Sequence, residues 1–78
     1  MKVHRLKTWP GYFQDVIDGR KSFEVRFDDR GFALENILIL EEYDQKQQRY
    51  TGRVTWVKVK RIWRDLPGMK EGYVLMEF

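Results

Sequence analysis

The chain contains no cysteine, a single histidine (His4) and no long hydrophobic segment. Without thiols the fold cannot use disulfides or a thiolate-bound metal, and one imidazole is too few for a histidine-based zinc site. No apolar run approaches the roughly 18 residues that a membrane helix needs, and the first residues lack the apolar core of a signal peptide. We therefore expect a cytoplasmic protein with no membrane partner, no metal and no organic cofactor.

The 78 residues are enough for one small domain, 1–78, whose single core is only marginally sufficient. The formal net charge is +3, and the sequence pI is about 9.3. This balance permits nucleic-acid binding without requiring it. The stretch 53–64 is more informative, because it carries five basic residues and no acidic one until Asp65. Trp56 and Trp63 lie within it, and such tryptophans either stack on bases or fill a core.

Hydrophobic periodicity predicts one early helix and about five strands. The helix is expected to begin at Thr8-Trp9-Pro10, with the Thr8 hydroxyl as its cap, and to end at Gly19. The strands are expected over residues 3–7, 22–27, 37–40, 53–63 and 73–78, the third of them central and the fourth bent near its far end. This order is typical of a small α+β domain built round a curled mixed sheet.

The most informative segment is the predicted strand that follows Gly19. Alternation places Phe23 and Val25 on one face, and Ser22, Glu24 and Arg26 on the other. With Lys21 at the entry of the strand, the second face carries a polar cluster suited to a polar, planar or anionic ligand, since guanidinium donates and carboxylate accepts. The alternative is an ordinary outer face in contact with water.

The spacing Gly-x-Lys-x-x-Glu-x-Arg, met by Gly19, Lys21, Glu24 and Arg26, resembles the signature of ASCH domains, which belong to the PUA-like folds. The likeness covers nearly the whole chain and points to a compact bacterial and phage branch of uncharacterised function. One departure is the pair Glu35-Asn36, where many relatives have Gly-Asp before the central strand. The further matching segments are residues 4–10 with Phe13, Asp29-Arg30 with Phe32, 38–41, 50–53 and 72–74.

The resemblance implies a PUA-like mixed β-pseudo-barrel of about five strands with one short N-terminal helix. Its cleft would be flanked by the motif, and its partner would be RNA, another single-stranded nucleic acid or a nucleotide. Lys21 and Arg26 suit a phosphate or base edge, and Glu24 suits an exocyclic amine. Trp9 offers a stacking platform in the same cleft. The candidate binding residues are Lys21, Glu24, Arg26, His4, Lys7, Trp9, Arg30, Lys58, Lys60 and Arg61.

Structural alternatives exist for four of these residues. Glu24 and Arg26 can form an ion pair that braces the fold. His4 can be a buried histidine with satisfied hydrogen bonds, and Trp9 can simply cover the start of the helix.

A small amidohydrolase is the main alternative function. One ASCH branch removes the acetyl group from acetylcytidine and has a lysine where this chain has Lys21. That branch carries a threonine in place of Glu24, so the nucleophile is missing here. Ser22 is the nearest hydroxyl, and a further acid would have to come from Glu71 or Glu77. Binding without catalysis is therefore favoured. A protein-binding accessory domain, which an apolar surface patch would indicate, is the third possibility.

Overall fold

The chain forms six strands and one helix, and a computed structural model describes all residues, 1–78. The α+β class and the single early helix agree with the sequence-based prediction. The single helix, with 8 residues, is too short to span a membrane. In chain order the elements are β1 (Val3–Thr8), α1 (Pro10–Ile17), β2 (Phe23–Phe27), β3 (Ile37–Asp44), β4 (Arg49–Lys58), β5 (Arg61–Trp63) and β6 (Tyr73–Glu77).

The strands divide into two three-stranded sheets, with the orders β1-β3-β4 and β2-β6-β5. In the first sheet β1 runs parallel to β3, and β4 runs antiparallel to it. The second sheet is antiparallel throughout. The central position of β3 confirms what its apolar run predicts. The expected single curled sheet is wrong, because the strands form two separate ladders and do not close into a barrel.

The predicted long strand over residues 53–63 is two strands, because the chain changes sheet at Val59 and Lys60. The Val59 N–H donates to the Asn36 carbonyl at 2.9 Å, beside β3. The next residue, Lys60, donates its N–H to the Glu77 carbonyl of β6 at 2.8 Å. The predicted bend is thus a corner between sheets, which raises the strand count from about five to six.

Both sheets contribute to one hydrophobic core, which also receives Phe13 from α1 and Phe32 from the loop before β3. Alternation along the strands sends every second side chain inward, as in β1, where only His4, Leu6 and Thr8 are buried. The helix contributes one buried residue and depends on this packing for its stability. The buried apolar side chains are Leu6, Phe13, Phe32, Leu38, Leu40, Val59, Val74 and Met76.

The helix begins differently from the prediction. Trp9 is the N-cap residue and makes no side-chain capping hydrogen bond. The Thr8 hydroxyl is not a cap, because Thr8 is the buried last residue of β1 and donates to the Leu6 carbonyl at 3.3 Å. Pro10 occupies the first turn as expected. Gly19, with φ of 76°, follows the C-terminal end of the helix, as its sequence position predicts.

Candidate ligand cleft at the edge of β2

An open cleft of about 580 Å³ lies between the end of β1, the start of α1 and strand β2. It brings together five of the predicted binding residues: Lys7, Trp9, Lys21, Glu24 and Arg26. The order of the elements explains this proximity, because β1 and α1 are joined directly while β2 follows α1 after a short turn. The other lining residues are Thr8, Tyr12, Phe23 and Val25.

Glu24 forms the charged centre of the cleft, and only 3% of this residue is exposed. Lys21 Nζ lies 2.6 Å from its Oε1 atom, and Arg26 Nε lies 2.9 Å from its Oε2 atom. Arg26 also donates from Nη2 to the Lys7 carbonyl at 2.8 Å. Two cations around one carboxylate leave this group with an excess positive charge, to which Lys7 adds. The ion-pair alternative for Glu24 and Arg26 is therefore present in the structure.

Strand β2 covers its polar side chains and exposes its apolar ones, which is the reverse of an ordinary amphipathic strand. Glu24 is buried and Arg26 is half-buried, whereas Phe23, Val25 and Phe27 are 40%, 46% and 54% exposed. A carboxylate can occupy the covered face because two cations compensate its charge and satisfy its oxygens. The alternative of a polar face in contact with water is wrong for this strand, and the apolar side chains lie on the outer face of the second sheet.

Aromatic rings also line the cleft, close to this charged group. Trp9 and Tyr12 are 51% and 55% exposed, and their rings are inclined by only 13° with centroids 6.4 Å apart. Lys21 Nζ lies 5.4 Å from the Tyr12 centroid and 5.3 Å from the Phe23 centroid. Tyr12 was not among the residues predicted to bind, although its position three residues after Trp9 places both rings on one side of the helix start.

His4 lies outside the cleft, so the expectation that it lines the same site is wrong. It is 7% exposed, and its Nε2 atom is 2.9 Å from Asn36 Oδ1. The same Oδ1 accepts the Ala33 N–H at 3.1 Å, so it is the acceptor and His4 Nε2 is the donor. The His4 ring also packs edge-on against Phe32, with centroids 4.7 Å apart. The buried, satisfied histidine is therefore the correct alternative.

Arg30 also lies outside the cleft. Its Nη1 atom donates to the Arg5 carbonyl at 2.6 Å, and its Nε atom is 3.8 Å from Asp29. Arg30 thus connects the loop after β2 with β1, and this contact accounts for its position without a ligand.

The predicted basic strand is not one continuous positive stripe. Lys58 pairs with Glu35 at 2.8 Å on the first sheet, while Arg61 lies 3.8 Å from Glu77 on the second. Lys60 is exposed at the corner between the sheets and has no ion-pair partner. None of these residues lines the cleft. The change of sheet separates Lys58 from Lys60 and Arg61, which both line a second cavity of about 670 Å³.

A second charged group, outside the cleft, fixes the loop between β2 and β3. Asp28 Oδ2 accepts from Arg64 Nη1 at 2.6 Å, and its Oδ1 accepts the backbone N–H groups of Arg30, Gly31 and Phe32. Partial burial raises the pKa of Asp28, but Arg64 and these N–H groups together hold it below its ordinary value of 3.8. Arg64 also donates to the Phe32 carbonyl at 2.8 Å.

The groups named for hydrolysis are not assembled around Lys21. Ser22, Glu71 and Glu77 do not line the cleft. Thr8 does, but its hydroxyl is buried and donates to a main-chain carbonyl. The Lys21 ammonium is hydrogen-bonded to Glu24 rather than to a hydroxyl.

Comparison with known proteins gives a family without an assigned activity. A family model described as "Domain of unknown function (DUF3850)" matches residues 3–78. The chain is also 35% identical over 75 residues to the "Uncharacterized 12.9 kDa protein in GpA 3'region" of Escherichia phage P2. That alignment covers 96% of this chain but 66% of the phage protein, so the chain spans slightly less than two thirds of its relative. With a match over almost its full length, the chain belongs to the DUF3850 family.

Proposed function

We propose that this domain binds RNA, or a free nucleotide, without catalysis, through the cleft at the edge of β2. The observation that carries the proposal is the combination of a buried Glu24 held by Lys21 and Arg26 with the exposed rings of Trp9 and Tyr12. A nucleotide has the same two parts, an anionic phosphate and a planar ring that stacks on aromatic side chains.

The charges of the cleft suit an anionic ligand. Lys7, Lys21 and Arg26 contribute three positive charges against the single carboxylate of Glu24. Lys7 Nζ lies 4.1 Å from the Tyr43 centroid and has no carboxylate partner, so it is available to a phosphate. Glu24 already binds a cation with each oxygen, and we therefore assign it the role of positioning Lys21 and Arg26 rather than of contacting a base.

We also propose that the domain is an ASCH domain of the PUA-like class. The support is that Lys21, Glu24 and Arg26, which carry the sequence resemblance, all line one cleft beside the early helix. A motif with a purely architectural role could lie anywhere in the fold, whereas these side chains converge where the resemblance implies a ligand.

Protein binding is the second candidate, and it rests on a different surface. On the outer face of the second sheet, Val25 pairs with Leu75, and Leu75 pairs with Trp63, so that one apolar row crosses three strands. Phe27 and Tyr73 extend this row with ring centroids 5.6 Å apart. A partly exposed apolar sheet face of this kind is a feature of protein-binding surfaces.

An NMR titration of the labelled domain tests the proposal, with short single-stranded RNA and with the nucleoside 5′-monophosphates as probes. We expect shifts at Lys21, Trp9 and Tyr12, and binding weakened about tenfold by Lys21→Ala, because a charge-assisted contact is lost. Lys60→Ala is the matched control, since Lys60 is an exposed cation outside the cleft.

The same titration separates the alternatives. Shifts confined to Leu75, Trp63 and Phe27 on addition of a protein partner, with none for RNA or nucleotides, would favour the second candidate. If the domain deacetylates acetylcytidine and Lys21→Ala abolishes this activity, amidohydrolysis would replace noncatalytic binding as the proposed function.

A further inference from the structure

We infer that the unpaired backbone edge of β2 recognises the base of the ligand. The N–H and C=O groups of Val25 form hydrogen bonds with the imino N–H and carbonyl oxygen of a uracil or guanine base. The inference rests on the proposed nucleotide-binding function and deepens it. It adds two features that the motif does not indicate: the class of base that is bound and a main-chain contact to that base.

The ladder of the second sheet determines which groups of β2 are free. Strand β2 is an edge strand whose only neighbour is β6. The Phe78 N–H donates to the Ser22 carbonyl at 3.0 Å, and the Asp28 N–H donates to the Gly72 carbonyl at 2.8 Å. In an antiparallel pair, the residues bonded to the partner strand alternate. The even-numbered residues of β2 therefore bond to β6, and Val25 directs its N–H and C=O away from the sheet.

This free edge borders the cleft. Four consecutive residues, 23–26, all line it, although alternate side chains of a strand point to opposite faces of the sheet. A cleft above one face would contact only every second residue. The cleft must therefore run along the edge of β2, where the Val25 backbone groups are.

The open part of the edge is short, which decides between a peptide and a small ring. The Phe27 carbonyl already accepts the Asp29 N–H at 3.0 Å. Beside it, the Arg26 guanidinium crosses to the Lys7 carbonyl at 2.8 Å and closes that end. Phe23 and Val25 alone keep both outward backbone groups without an intramolecular partner, whereas Phe27 keeps only its N–H. An added peptide strand uses a longer row of such groups, whereas a planar ring needs one N–H and one C=O.

The side chains around this edge favour bases with carbonyl oxygens. Lys21 and Arg26 are donors only, and both oxygens of Glu24 are occupied by them. No free carboxylate remains to accept from the exocyclic amine of cytosine or adenine. Every base presents a donor next to an acceptor that can pair with a strand residue's C=O and N–H. Only uracil and guanine combine an imino N–H with a carbonyl oxygen there, and a carbonyl oxygen can accept a second hydrogen bond from a cationic side chain. The base carbonyl that accepts from the Val25 N–H can also accept from the Lys21 ammonium, since lysine side chains in nucleic-acid complexes often donate to carbonyl oxygens of bases.

Amide exchange and a titration of the whole domain test this inference. In the free protein we expect the Val25 amide to exchange rapidly and the Glu24 and Arg26 amides to be protected. On addition of uridine or guanosine 5′-monophosphate, the Val25 amide proton should shift downfield. N3-methyluridine and N1-methylguanosine monophosphates, whose imino N–H is blocked, should bind about fivefold more weakly or worse.

A proline substitution removes the proposed donor itself. Val25→Pro deletes an N–H that takes no part in the ladder, and proline is tolerated at such positions of edge strands. Val25→Ala is the matched control, because it shortens the same side chain and retains the N–H. We expect a fivefold or larger loss of affinity for Val25→Pro and little loss for Val25→Ala.

The outcomes distinguish the two proposals. If no monophosphate and no RNA binds, the proposed function fails, and the inference fails with it. If they bind but the methylated nucleotides bind equally well, the edge contact is overturned while nucleotide binding stands. Protection of the Val25 amide in the free protein would also overturn it, as would a Val25 shift produced only by a peptide. Should Val25→Pro not fold, the methylated nucleotides decide with the wild-type protein.

Discussion

Arg26 and Lys7 join two strands that belong to different sheets, through a hydrogen bond of 2.8 Å from the Arg26 guanidinium to the Lys7 carbonyl. The motif arginine therefore connects β2 with the end of β1 as well as pairing with Glu24. Its removal would lose both contacts at once. Of these contacts Lys21 makes only the one with Glu24, so its substitution should disturb the fold less than that of Arg26 and suits a binding test better.

Substitution of Glu24 should be strongly destabilising. Glu24→Gln leaves the Lys21 and Arg26 cations close together in a largely covered site without a counter-charge. We expect the free energy of unfolding to fall by about 3 kcal/mol, as for other buried ion pairs that lose one partner. Urea denaturation followed by tryptophan fluorescence measures this change.

Glu41→Gln is the matched control for Glu24. Glu41 also pairs with an arginine, Arg5, at 3.1 Å, but Arg5 is mostly exposed. Its loss should cost less than about 1 kcal/mol. Equal effects of the two substitutions would contradict the assignment of Glu24 as a buried charge centre.

Asn36→Ala should destabilise the domain without affecting the ligand. Asn36 Oδ1 accepts from His4 Nε2 and from the Ala33 N–H, so its removal leaves the buried His4 donor and the Ala33 N–H without their acceptor. We expect a loss of about 2 kcal/mol in thermal or urea unfolding. The affinity for uridine 5′-monophosphate, measured where the variant is folded, should be unchanged, and a clear loss would place the His4 pair in the binding site.

The sequence predicts the helix, its end at Gly19 and the central β3, because these depend on local signals or on a continuous apolar run. It does not predict the change of sheet at Val59 and Lys60. Their hydrogen-bond partners, Asn36 and Glu77, are distant along the chain. Strand register of this kind depends on tertiary pairing.

The candidate site was predictable only in part. The spacing of Lys21, Glu24 and Arg26 predicts that they lie together. The alternation of polar and apolar residues along β2, however, predicts that Glu24 faces the solvent. Its burial follows from two cations that converge on it from neighbouring positions. The position of His4 depends on Asn36, 32 residues later, which no local pattern connects with it.

Acidification should remove the stabilisation that Asp28 provides. Arg64 and three backbone N–H groups favour its charged form, so the pKa of Asp28 in the folded state lies below 3.8. A lowered pKa contributes stability that is fully present above the unfolded value and is lost as pH falls through the folded value. The unfolding free energy of the wild type should therefore decrease below about pH 4 more steeply than that of Asp28→Asn. Denaturant titrations of both proteins at a series of pH values measure this difference, and parallel profiles would contradict it.

The salt dependence of RNA binding should distinguish Lys7 from Lys58. Lys7 lines the cleft without a carboxylate partner, whereas Lys58 lies outside it and pairs with Glu35 at 2.8 Å. Each phosphate contact with a single strand contributes about 0.7 to the slope of log affinity against log salt concentration. We expect Lys7→Gln to reduce the magnitude of this slope by about that amount and Lys58→Gln to leave it unchanged. Titrations with one short single-stranded RNA over a range of salt concentrations provide the comparison. A slope that responds to Lys58 and not to Lys7 would place the phosphate contacts on the first sheet rather than in the cleft.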